Sequence, residues 1–146
     1  MPHRLGTMAI ALAVCLQPAC AKPPIETETE SKAVKVEPIE GSDLSRVIVT
    51  AEAAERLDIQ MAPVRSLAVS GKTRKVIPYA SIVYDVDGNT WAYTSPESLT
   101  YVRTPVTVDY IEGELAVLTS GPPAGTQVVT VAVQELYGSE EEFEEE

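Results

Sequence analysis

The stretch PYASIVYDVDGNTWAYT, residues 78–94, decides the fold. An apolar run stops at Asp87-Gly88 and resumes with the chain's one tryptophan, Trp91. An Asp-Gly pair supplies two adjacent residues that tolerate positive φ, which a tight hairpin turn requires. Pairing outward from it sets Asp85 opposite Thr90, Tyr84 opposite Trp91, Val83 opposite Ala92 and Ile82 opposite Tyr93. A two- or four-residue loop gives these pairs, whereas a three-residue loop scrambles them. The register collects Ile82, Tyr84, Trp91 and Tyr93 on one face. Opposed aromatic residues stabilise a sheet by up to about 1 kcal/mol, so Tyr84 and Trp91 are expected in a core. Tyr79, Tyr93 and Tyr101 also suit an interface, because a phenol keeps its hydroxyl wet while its ring packs.

Working outward, RVIVT at 46–50 predicts a strand, and Thr50 suits the N-cap of a short helix. Glu52 lies near that helix's positive end, and AEAAERL gives two turns ending near Asp58. Residues 59–69 read as extended, with Pro63 marking an edge. Ser70-Gly71-Lys72 is a turn. LTYVRTPVTVDY, residues 99–110, predicts a long strand with an edge or bulge at Pro105. Glu112-Gly113 turns the chain and ELAVLT returns beside it. SGPPAGT makes a sharp connection to a buried strand TQVVTVAV, and QELYG closes the domain. Strands about ten residues apart, with turn signals between them, predict a mainly β fold. The expected form is a small β-barrel or roll with one short helix.

The 146 residues suffice for one domain. The formal charge of -11 is localised, since residues 44–138 hold seven Lys/Arg against ten Asp/Glu. The acidic flanks predict a disordered tether over 22–43, a domain over 44–138 and a solvated acidic tail over 139–146. Without a basic stripe to neutralise phosphates, nucleic acid is not an expected partner.

Residues 1–21 read as an export signal: His3 and Arg4 precede an apolar run of about a dozen residues, too short to span a bilayer. Ala19-Cys20-Ala21 fits cleavage after Ala21. Cys20, preceded by Ala19, equally resembles a lipoprotein acceptor cysteine, although Gln17-Pro18 fits that motif poorly. Cys15 has Leu12 in place but Val14 where a small residue is wanted. The expected location is outside the cytoplasm in the cell envelope, membrane-anchored if Cys20 is lipidated and otherwise periplasmic or secreted. Both cysteines lie at or before the cleavage site, so no disulfide is expected within the domain.

The catalytic inventory is sparse. His3 is the one histidine, and it falls in the export signal. A Ser-His or Cys-His pair or an imidazole metal site is therefore not expected in the domain. Asp85 and Asp87 resemble part of a calcium loop, but Gly88 follows too early for that spacing. Asp109, Glu112 and Glu114 read as solvated turn charge, and Met61 as core. The expectation is a non-catalytic protein with no cofactor and no metal.

Two separated segments together resemble a family. RVIVTAEAAERLDIQMAPV, residues 46–64, is similar to the opening of periplasmic adaptors, the HlyD-like membrane fusion proteins of RND-type efflux pumps. VIPYASIVYDVDGNTWAYT and VRTPVTVDYIEGELAVLTSGPPAGTQVVTVAVQEL resemble their other end, with Pro122 where leucine is usual. The resemblance implies that these ends fold together as a membrane-proximal domain. Only SLAVSGKTRK joins them here, where the family carries a lipoyl domain, a helical hairpin and a β-barrel. It further implies efflux-related docking on an inner-membrane transporter or adaptor protein, through Tyr79, Tyr93, Tyr101, Pro122 or Pro123, with a membrane contact through a lipid anchor at Cys20. The alternative is an envelope lipoprotein that binds a small ligand or another protein, which a closed apolar pocket between sheet and helix would favour.

Overall fold

The computed structural model describes residues 32–144. The expected export signal, Cys20 and the first part of the expected tether lie outside these residues. Short valine-rich runs interrupted by Gly, Pro and Asp favour strands over helices. They give β1 (Val34–Pro38), β2 (Ser45–Val49), β3 (Met61–Pro63), β4 (Arg65–Val69), β5 (Lys72–Pro78), β6 (Val83–Tyr84) and β7 (Thr90–Glu97). β8 (Thr100–Pro105), β9 (Thr107–Glu112), β10 (Leu115–Ser120) and β11 (Gln127–Val129) follow. The helices are α1 (Ala51–Arg56) and α2 (Val133–Glu144).

The domain is mainly β, but it is not a closed barrel. Seven strands form one sheet in the order β1-β2-β8-β7-β11-β3, with β6 also on β7. Four form a second in the order β4-β5-β10-β9. Period-2 alternation sends neighbouring side chains to opposite layers. Ala92 and Val128 face Ile77, Ala116 and Leu118 between the sheets. Tyr93 and Val129 face Val47, Val133 and Leu136 on the helix side. Three layers result: helices, the larger sheet, the smaller sheet.

Several expectations hold. Thr50 Oγ1 accepts from Ala53 N–H at 3.1 Å and caps α1, which ends before Asp58 at φ 51°. Pro63 lies on the edge strand β3. Ser70 and Gly71, at φ 50° and 75°, form the two-residue turn between β4 and β5.

Four readings are corrected. Part of the expected tether is β1, which pairs with β2 from Val34↔Val49 to Pro38↔Ser45. Val34 and Val36 cover the core beside α2, a burial that local composition does not reveal. The tail is not free charge: α2 continues through Glu144. The stretch 99–110 is two strands, since the chain leaves the larger sheet after Pro105 and turns the buried Val106 inward before β9. Finally, the hairpin register shifts by one, to Val83↔Trp91 and Tyr84↔Thr90, because its loop has five residues, Asp85–Asn89.

Asp85 builds that odd loop. Its Oδ1 accepts from the backbone N–H groups of Asp87 at 3.0 Å and Asn89 at 2.8 Å. Its Oδ2 accepts from Asn89 Nδ2 at 2.8 Å and Trp91 Nε1 at 2.9 Å. Satisfying four donors outweighs the local preference for a shorter turn, and Tyr84 moves to solvent.

Replacing Thr50 with alanine removes the cap of α1 and is expected to cost about 1 kcal/mol in urea unfolding. An unchanged midpoint would show that β2 and β8 alone fix this segment.

Candidate functional site: docking surfaces around a buried charge clamp

The strongest polar constellation lies under α2. β7 and β8 set Tyr93 directly opposite Arg103. The Arg103 guanidinium sits 4.9 Å from the Trp91 ring centre and 5.6 Å from that of Tyr137. Both distances are within cation–π range. Helical spacing from Val133 and Leu136 carries Glu140 onto the inward stripe of α2, where it is 0% exposed. Glu140 Oε2 accepts from the Tyr93 hydroxyl at 2.5 Å, while Oε1 lies 3.5 Å from Arg103 Nη2. Glu141 Oε1 adds a second carboxylate 3.8 Å from Nη1. Burial, then the hydrogen bond to Glu140, pushes the Tyr93 phenol far above its ordinary range. The phenol therefore stays a donor. This arrangement clamps α2 onto the sheet; Tyr93, Arg103 and Glu140 are buried, so they offer no open face to a substrate.

The residues expected to meet a partner separate. Tyr93 and Tyr101 are core residues, exposed by 0% and 3%. Pro122 is buried as well. None of these three presents a surface. Tyr79 and Pro123 are exposed. Tyr79 is joined by Tyr84 and by Val86, 91% exposed at the loop tip. Partial desolvation, then contact with the Tyr79 phenol, raises the Tyr84 phenol above its ordinary value. The shifted register thus makes an exposed aromatic patch from a residue the sequence assigns to the core.

A second surface was not expected. The outer face of the smaller sheet carries an open groove of about 660 Å³, lined by Leu67, Val69, Val76, Leu115 and Val117, with Tyr110 and Glu112 on its β9 side. Residues 59–84 hold Arg65, Lys72, Arg74 and Lys75 and no Asp or Glu, although the chain is strongly acidic. Arg74 is bound to Asp109 of β9 at 2.5 Å, and Lys75 Nζ donates to the Gly121 carbonyl at 2.5 Å. Arg65 and Lys72 remain exposed beside the groove. The acid-free run was visible in the sequence; the groove needed the pairing of β4, β5, β10 and β9.

Among the described residues, no cluster of three or more His, Cys, Asp or Glu is placed to hold a metal ion. Among them also, no helix is long and apolar enough to cross a membrane. These features define a mainly β, two-sheet domain with uncovered apolar and aromatic surface. Comparison with protein-family models, curated proteins and solved structures yields no match.

Removing one partner of a buried ion pair strands the other charge, so Glu140→Ala is expected to destabilise by about 3–5 kcal/mol in urea unfolding. A loss below about 1 kcal/mol would show α2 to be held by apolar packing alone.

Hydrogen bonds from the Asn89 side chain and then Trp91 hold the Asp85 carboxyl down, from 3.8 to about 2. A depressed carboxylate stabilises fully above its unfolded value, and this contribution is lost as pH falls through the folded value. The Trp91 indole N–H resonance is therefore expected to titrate with a midpoint near 2. Asp85→Asn should remove that titration. A midpoint at the ordinary carboxylate value would mean the indole bond does not form in solution.

Proposed function

We propose that this chain is a non-catalytic, exported domain resembling the membrane-proximal part of efflux adaptors, and that it docks on a transmembrane transport complex. One observation carries the reading. The two distant segments that resemble the opposite ends of an adaptor close into a single sheet, β2 pairing with β8 and β3 with β11. The joining residues 66–75 contribute to β4, β5 and their turn. Such a body works by contact. Its exposed Tyr79, Tyr84 and Val86 supply apolar and phenolic side chains of the kind that anchor protein interfaces. The layer between sheet and α2 is filled by Val47, Tyr93, Val129 and Leu136, which favours touch over enclosure of a small ligand.

The test is a photo-crosslinking residue at Val86 in native membranes, followed by identification of the adducts. Adducts to a transporter or adaptor subunit are the expected result. Adducts confined to envelope proteins with no role in transport would overturn the reading. Mass measurement of the mature N-terminus in the same preparation distinguishes lipidation at Cys20 from simple secretion.

A further inference from the structure

The two edges of the smaller sheet differ. β9 is protected: its pairing with β10 slips between Val117 and Leu118 and again before Ser120, and Asp109 and Glu112 lie along it. Bulges and charges are the usual means of blunting an edge. β4 has no bulge, and its one charge, Arg65, stands at its first residue. It runs in unbroken register with β5 from Arg65↔Val76 to Val69↔Lys72. In a two-residue hairpin the pair flanking the turn exchanges both hydrogen bonds, and bonded pairs then alternate. Val69, Leu67 and Arg65 therefore bond inward to β5, while the backbone groups of Ser66 and Ala68 point away from the sheet. Both residues are exposed.

We infer that β4 is a strand-addition site for an extended, acidic segment of a partner protein. This deepens the docking reading and rests on it only for the partner's place in the membrane. An added strand would satisfy the outward groups of Ser66 and Ala68, the backbone component of such recognition. Its inward side chains would extend the row formed by Leu67 and Val69 at the margin of the groove. Charge selects the occupant. Arg65 and Lys72 stand at the two ends of the open strand, Arg65 on β4 and Lys72 directly after the turn, with no acid between residues 59 and 84. A segment alternating β-favouring residues with glutamate or aspartate meets both demands, hydrogen bonding along the edge and opposite charge at its ends. A basic segment would meet like charge, which is costly at close range.

The experiment adds a heptapeptide of alternating valine and glutamate to the full chain and follows backbone amides by hydrogen exchange. Slowing at Ser66 and Ala68 of about tenfold or more is expected, with β9 unaffected. Two variants accompany it. Ala68→Pro deletes one outward donor without touching the bonds to β5. Arg65→Glu/Lys72→Glu reverses exposed charge and keeps the edge intact, so it serves if the proline variant proves unstable in thermal melts. Each is expected to weaken peptide binding about tenfold or more. Equal binding of a valine–lysine peptide, protection on β9 or β1 instead, or no binding would overturn the inference. So would protection of the same amides by anionic phospholipid vesicles when the peptide gives none, which would make the site a lipid contact.

The Val86 crosslinks separate the two readings. Transporter adducts that survive both variants, without peptide binding at β4, leave the docking reading standing and remove this one. Peptide binding at β4 without transporter adducts does the reverse.

Discussion

The packing of this domain turns on a buried charge. Arg103 projects from the middle of the larger sheet, where an unpaired guanidinium would be costly to desolvate. Glu140 and Glu141 reach it from α2, Tyr93 donates to Glu140, and the rings of Trp91 and Tyr137 close around the cation. The clamp extends outward through Trp91, whose indole N–H is held by Asp85 at the head of the 85–89 loop. A surface loop, two strands and the C-terminal helix are thereby linked through one contiguous polar path. Geometry explains why an acidic C-terminus forms an ordered helix: two of its carboxylates have a buried cation to neutralise.

A second constraint is the repeated passage of the chain between two sheets. Val64, Ile82 and Val106 mark such passages and are all buried in the layer they cross. Gly121 sits close to Val106 and Leu118, where a Cβ would come within 3.0 Å of Leu118 Cδ1. The passages put the β4–β5 hairpin on the side away from the helices. One face of the larger sheet is closed by α2 and the other by the smaller sheet, while among the described residues no further layer covers the smaller sheet's outer face. The groove is a consequence of the layering and the exposed Tyr84 of the shifted register, and together they account for an otherwise well-packed domain retaining contact surface.

Local chemistry made much of the plan legible. Thr50 identified the start of α1, Pro63 an edge, and Ser70-Gly71 a tight turn, because each is fixed by a dihedral preference or a cap contained within a few residues. The register of the 78–94 hairpin departs from this local logic for a related reason. The Asp-Gly pair does supply the turn, with Gly88 at φ 83°, but Asp85 widens it by capturing a tryptophan six residues away. A turn-residue argument weighs the central pair and not a side chain reaching across the hairpin. Tyr84 turns outward as a result, while Tyr93 stays on the face of β7 that Trp91 shares.

The sequence by itself determined a mainly β chain, its turns, its first helix and the concentration of positive charge in residues 59–84, since these follow from composition and from contacts a few residues long. Only the tertiary structure decided that Glu140 is buried, that Val34–Pro38 is a strand, and that two sheets rather than a barrel enclose the core. Each depends on partners separated by many residues, as with Arg103 and Glu140, and burial of a charge becomes favourable only once the distant counter-charge and the rings around it are in place.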